Sequence, residues 1–218
     1  MAPFDTLGDT MRGTHGIILD MYRQPGKLQE AMEVVTPINI DAAVAGADFS
    51  GVPVIFMPLH KGDDVFMSDK QFETFYWPSF KKVILGLIEE GCIPLLFAEG
   101  KYNSRLKTVK DLPKGTVLWL FDQTDMVEAK KALGGIACIS GNIPTSLMCT
   151  GTPEAVKAYC RRLIEDCAPG GGYILAGGAS IDKCSPENMH AIREAVEEYG
   201  VYDSSSTQTV SGDKTRNP

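Results

Sequence analysis

Three polar clusters in this sequence hold residue types that move protons or grip ligands. The first is His60-Lys61-Gly62-Asp63-Asp64, where an imidazole beside carboxylates suits a general acid or a metal ligand. The same residues could equally cap and brace a loop. The second, Glu99-Gly100-Lys101-Tyr102-Asn103-Ser104-Arg105, is the densest. A carboxylate near a guanidinium stays ionised, so Glu99 and Arg105 could act on a polar ligand that Tyr102 and Asn103 help to bind, or could pair and close a cleft. The catalytic candidates are Glu99, Arg105 and His60.

The third cluster is Asp122-Gln123-Thr124-Asp125. Asp125 suits a helix N-cap, which leaves Asp122 as the ligand-binding candidate. Asn142 follows Gly141, where a turn with positive φ is as well founded as a binding role. Gly178 belongs to a glycine pair, Gly177-Gly178, that would let backbone approach a bulky flat ligand. A nucleotide loop is not expected, because no G-x-x-x-x-G-K-S/T pattern is present.

Each cluster follows a short apolar run. The runs are Pro53–Met57, Ile93–Ala98, Thr116–Phe121, Ile136–Ile139 and Tyr173–Ala176, and they read as strands buried on both faces of a parallel sheet. Helical patterns separate them. Ser68 and Gln71 form a capping box ahead of the stripe Phe72, Phe75, Tyr76, Phe80, Ile84, Leu87 and Ile88. Thr152-Pro153-Glu154 and Ser185-Pro186-Glu187 each give N-cap, N1 proline and first-turn acid. Asp125–Leu133 is a shorter helix and Lys27–Ala45 an early one, after a turn-rich lead-in. Strand alternates with helix, which predicts an α/β fold of parallel strands. Polar loops at the strand carboxyl ends, with no G-x-G-x-x-G after the first strand, favour a barrel over a doubly wound sheet. A closed barrel has eight strands, so five runs predict an incomplete one, with two unpaired edges.

The 218 residues carry a net charge of −7, and their lysines and arginines are dispersed, which excludes a basic nucleic-acid-binding stripe. The longest apolar run, Val52 to Leu59, is far below the ~20 residues of a membrane helix, and the acidic start is no signal peptide. The six cysteines keep no metal-finger spacing and are expected to be buried, reduced thiols of a cytoplasmic protein. Asp203–Pro218 reads as a disordered tail after a domain spanning 1–202.

The stretches Phe66-Met67-Ser68-Asp69-Lys70-Gln71-Phe72, Tyr76-Trp77-Pro78, Phe121-Asp122-Gln123-Thr124-Asp125, Ile139-Ser140-Gly141-Asn142-Ile143-Pro144, Gly151-Thr152-Pro153-Glu154 and Gly170-Gly171-Gly172-Tyr173-Ile174-Leu175 occur in one order. In them the chain resembles the carboxyl-terminal part of the uroporphyrinogen decarboxylase superfamily, from Asp5 to Tyr202. That resemblance implies a TIM (β/α)8 barrel whose amino-terminal third is absent here. It also implies either of two chemistries, decarboxylation of a tetrapyrrole or corrinoid-dependent methyl transfer.

The methyltransferase branch binds zinc through His-x-Cys-Gly and a later Cys. Here those positions read Phe97-Ala98-Glu99-Gly100 and Ala179. Zinc is therefore not expected, although Glu99 could offer oxygen with His60 or Cys184 approaching. The decarboxylase branch needs no cofactor, and its tyrosine, serine and histidine fall near Thr10, Leu59 and Gly177–Ala179 without being retained. The resemblance makes a uroporphyrinogen-decarboxylase-type lyase the first reading. A corrinoid methyltransferase component, with His60 a candidate axial ligand, is the second. A non-catalytic fragment needing a partner chain is the third. The partners that follow are a tetrapyrrole or corrinoid small molecule, a corrinoid protein, an upstream barrel fragment or a second copy.

Overall fold

The computed structural model describes residues 1–202. Five strands, β1 Val54–Leu59, β2 Ile93–Ala98, β3 Leu118–Phe121, β4 Cys138–Ile143 and β5 Tyr173–Gly177, form one parallel sheet in the order β1-β2-β3-β4-β5. Each strand pairs with the next in sequence, so the winding never reverses. This is the progression of a β/α barrel, and it covers five consecutive strands of one. β1 and β5 are the unpaired edges of the sheet.

Side chains alternate between the two faces, and the register aligns like with like. Met57 and Leu96 lie in register, as do Leu96 with Trp119, Trp119 with Ile139 and Ile139 with Tyr173. This row faces the helices and is buried throughout. The opposite, concave face carries Val54, Phe56, Ile93 and Ile174, which are 43–56% exposed. Leu95, Leu118 and Leu120 between them are half-buried. The apolar core therefore lies between sheet and helices, and the inner face of the barrel is a half-open apolar floor.

The capping signals hold. Ser68 and Gln71 close a capping box ahead of the three-residue helix α4, Asp69–Gln71. A π-helical turn, Phe72–Tyr76, then leads into α5, Trp77–Glu89. Asp125, Thr152 and Ser185 cap α7 (Met126–Leu133), α9 (Pro153–Cys167) and α10 (Pro186–Tyr199). Short helices α6, Leu106–Val109, and α8, Thr145–Thr150, follow β2 and β4.

Two expectations are corrected. The lead-in is helical: α1 Pro3–Leu7, a π-helical turn Gly8–Arg12 and α2 Gly13–Arg23 precede α3 Pro25–Ser50, which contains the expected Lys27–Ala45. Gly8 and Gly16 sit inside helical turns because neighbouring side chains crowd their Cα: a Cβ on Gly8 would meet Lys61 Cε at 3.0 Å. β4 begins two residues later than its apolar run and takes in Gly141-Asn142, where a turn is as well founded from sequence as a binding role, together with Ser140. The left-handed φ belongs to Gly141, at 109°, and Asn142 is strand. Gly141 tolerates this because a Cβ there would strike the Phe121 carbonyl oxygen at 2.3 Å. The expectation for Asp203–Pro218 falls outside the described residues. Among the described residues no helix is long and apolar enough to cross a membrane.

Candidate functional site

Leu59 and Ala98, the last residues of β1 and β2, lie in register and face the helices. The next residue on each strand, His60 and Glu99, therefore emerges on the concave side with its neighbour alongside. His60 Nε2 stands 3.9 Å from Glu99 Oε1. On the other side of the ring, His60 Nδ1 lies 2.6 Å from Asp9 Oδ2, which the π-helical turn after α1 delivers. Asp9 Oδ1 accepts a hydrogen bond from Lys61 Nζ. Burial works to raise the Asp9 carboxyl, but hydrogen bonds from Lys61 and His60 outweigh it and hold the group below its usual range. Asp9 is thus the ionised partner. It accepts the Nδ1 proton, which turns Nε2 toward Glu99. Burial pushes the Glu99 carboxyl up, with Asp122 and Asp9 adding to the rise against the pull of His60. An acid of raised affinity for protons thus stands beside an imidazole anchored by a carboxylate, at a separation that one bridging water would span.

A buried layer supports it. Asp5 in α1 is fully buried, and its Oδ2 accepts from the Tyr76 hydroxyl and from the His60 backbone N–H at 3.2 Å. Burial drives its carboxyl up to about 6. Among the described residues, the buried Asp5 Oδ1 and Tyr102 hydroxyl find no hydrogen-bond partner. Gly62 lets these rings close under the loop: a Cβ there would stand 2.4 Å from Tyr102 Oη and 2.9 Å from the Tyr76 ring. Gly62→Ala is expected to cost about 1–3 kcal/mol of stability through overpacking, measured by urea unfolding. A variant as stable as the parent would show that the two rings are free to move.

The sequence candidates divide. His60, Glu99 and Asp122 come together at the mouth; Asp122 Oδ2 accepts from the Gly100 N–H at 3.0 Å and so fixes the turn that carries Glu99. Arg105 does not pair with Glu99. It is buried, donates to the carbonyls of Gly62, Asp63 and Met67, and pairs with Asp69 and Asp64. Tyr102 is wholly buried beneath the loop. Asn103 Oδ1 accepts from the Asp125 N–H at 2.8 Å, bracing adjacent loops. Asn142 Nδ2 donates to the Thr124 carbonyl at 2.7 Å, and its Oδ1 accepts from Tyr159. Gly178 packs so near Asp122 that a Cβ would lie 2.9 Å from that residue's carbonyl oxygen. The reading from sequence missed Asp5 and Asp9. Their four-residue spacing, one helical turn apart, was the one available signal.

A cleft of about 660 Å³ continues from Asp122 past Asn142 to Tyr159 and Arg162. A groove of about 390 Å³ along the β1 edge, between Met1, Ala43 and Phe56, is lined by no titratable side chain. Among the described residues no three His, Cys, Asp or Glu side chains converge as metal ligands. Cys184 bonds instead to the carbonyls of Met148 and Ser185.

Residues 1–199 match the family model described as uroporphyrinogen decarboxylase (URO-D). No curated protein matches the chain in sequence. Among solved structures the fold is similar to that of a methyltransferase from Methanosarcina mazei, with a TM-score of 0.76 and 19% sequence identity. The superposition covers 92% of this chain and 57% of that one, so the chain spans a little over half of that protein's length.

Proposed function

Because the chain belongs to the uroporphyrinogen decarboxylase family, we propose that the mouth of its sheet is a proton-transfer site serving methyl transfer to or from a corrinoid. The observation that carries this reading is the Asp9–His60–Glu99 chain at the carboxyl ends of β1 and β2. A heteroatom that loses a methyl group needs a proton, and one that gains a methyl group must shed one. His60 Nε2 gives or takes that proton, Asp9 holds the ring, and Glu99 stores the proton beside it.

The concave face below the mouth is apolar, as contact with a macrocycle fringed with uncharged amides would require. Phe56 stacks on Phe97 with ring centroids 5.9 Å apart, next to Leu118 and Leu120. When bound there, a corrinoid supplies a cobalt centre that carries the methyl group. The rival reading, decarboxylation of a tetrapyrrole with acidic arms, calls for free cations in the mouth. Arg105 and Lys61 are already committed to Asp69 and Asp9, and the cations such a substrate would meet are Lys101 and Arg162, which line the adjoining cleft. A second reading, a barrel part that docks onto a partner chain, is favoured by the unpaired β1 edge and the exposed Phe56.

The test is an anaerobic assay of the whole chain with methylcobalamin and a panel of thiol, alcohol and amine acceptors, following loss of the cobalt–carbon bond by its visible spectrum. Turnover is expected, with His60→Gln at least tenfold slower. Carbon dioxide released from uroporphyrinogen, with no corrinoid turnover, would install the lyase reading instead. No turnover in either assay, joined to cooperative folding only with a second barrel polypeptide, would install the partner reading.

A further inference from the structure

Two cysteines lie on the far lip of the mouth and take no part in the chain above. Against the expectation that all six thiols are buried, Cys149, in α8, is exposed, and Cys184 is half-buried in the loop between β5 and α10. Each thiol reaches the backbone of the other. Cys149 Sγ lies against the Lys183 carbonyl, and Cys184 Sγ donates to the Met148 carbonyl at 3.1 Å. Those two carbonyls belong to the residues directly before Cys184 and Cys149. The reciprocal contact sets each thiol against the peptide unit that leads into the other cysteine, the close approach of the two segments that a disulfide requires.

The other thiols compete poorly. Cys92, Cys160 and Cys167 are buried, and burial pushes the thiols of Cys160 and Cys167 up to about 11, keeping them protonated and inert. Cys138 is half-buried, and burial raises its thiol too. The loop that holds Cys184 begins at Gly178, the residue packed against Asp122.

We infer that Cys149 and Cys184 form a redox-closed clamp that pins the β5–α10 loop to α8 under peroxide. The Cys149 thiolate attacks hydrogen peroxide, an S–O bond forms, the O–O bond breaks, and the departing hydroxide takes a proton to become water. The Cys184 thiol gives up its proton and attacks Cys149 Sγ as the thiolate, the S–S bond forms, the S–O bond breaks, and the departing hydroxide takes that proton to leave as a second water. Two thiols lose two hydrogens in all, and peroxide is the oxidant.

The experiment treats the whole chain with a small excess of hydrogen peroxide, alkylates the remaining thiols with N-ethylmaleimide, and digests it with trypsin without reduction. Mass spectrometry is expected to find peptide Ala132–Lys157 joined to Cys184–Arg193, two hydrogens short, with Cys149 as the bridged residue. The oxidised chain melts several degrees higher, and dithiothreitol reverses the shift. Cys184→Ser keeps the melting temperature of the reduced parent and, lacking a resolving thiol, accumulates sulfinic acid at Cys149. Cys149 and Cys184 both alkylated after peroxide, a bridge from Cys149 to Cys138, or sulfinic acid at Cys149 in the parent chain would each overturn the clamp.

Discussion

Arg105→Ala is expected to lower stability by about 3–5 kcal/mol, the range for removing one member of a buried ionic cluster. The guanidinium is 1% exposed and lies 4.7 Å from the centroid of the Phe72 ring. Its donors satisfy three main-chain carbonyls, of Gly62, Asp63 and Met67, as well as Asp69. Asp69 and Asp64 are partly open to solvent, so the ion pairs alone contribute modestly. Most of the cost comes from leaving buried carbonyls without donors and emptying the space over Phe72. A melting temperature lower by about 10 °C follows for a chain of this size. Arg105→Lys should recover little, because an ammonium cannot span the fork of acceptors. The loop that Arg105 fastens also carries His60, so the loss of folding and of activity should go together. Urea unfolding of both variants checks this; a change under about 1 kcal/mol in Arg105→Ala would mean that the loop is held elsewhere.

Asp5→Asn is expected to make the protein more stable at neutral pH, by about 2–3 kcal/mol. Burial lifts the Asp5 carboxyl from its ordinary 3.8 to about 6, against the opposing pull of Tyr76, the His60 N–H and Lys61. Between those two values the folded chain keeps a proton that the unfolded chain has released. The contribution of this group to stability is therefore full below pH 4, declines as pH rises through 6, and stays lost above it. Asparagine keeps the shape and one acceptor, removes the charge, and sets an amide N–H where Oδ1 has no partner. Its advantage should be largest at pH 7.5 and vanish by pH 4. Urea titrations at four pH values across that span measure it. An unchanged slope of stability with pH would show that Asp5 does not titrate in the window.

The strands were legible because a sheet buried under helices writes continuous apolar runs, and β2 begins and ends where its run does. β4 was harder to read. Its second half faces the concave side with Ser140 and Asn142, and Gly141 gives way to Phe121, so burial there leaves no apolar trace. Caps were legible because they are local chemistry: Ser68, Asp125, Thr152 and Ser185 each accept the backbone bonds their types imply. His60 and Glu99 were found because polar residues after parallel strands are rare and purposeful. Arg105 looked the same from sequence. Whether a guanidinium faces a ligand or its own backbone depends on how residues 62–67 fold back over it, which no spacing encodes. Asp5 and Asp9 lie some fifty residues before the strand end they serve, and helices α2 and α3 intervene. Only the packing of α1 against α5 and the π-helical turn before it brings them to His60.

The anchored imidazole also has a spectroscopic consequence. The chain contains 3 histidines, and His15 and His190 are exposed on helices α2 and α10. Only His60 has its Nδ1 against a carboxylate at 2.6 Å among the described residues. A ring proton held at that distance resonates far downfield of the amide envelope, and because the side chain is 36% exposed it is observed at low temperature, where exchange with water is slowed. One proton resonance, assignable by elimination, therefore reports on α1, β1 and β2 together. It vanishes when any of the three departs, and it gives a native readout of the mouth that needs neither substrate nor label.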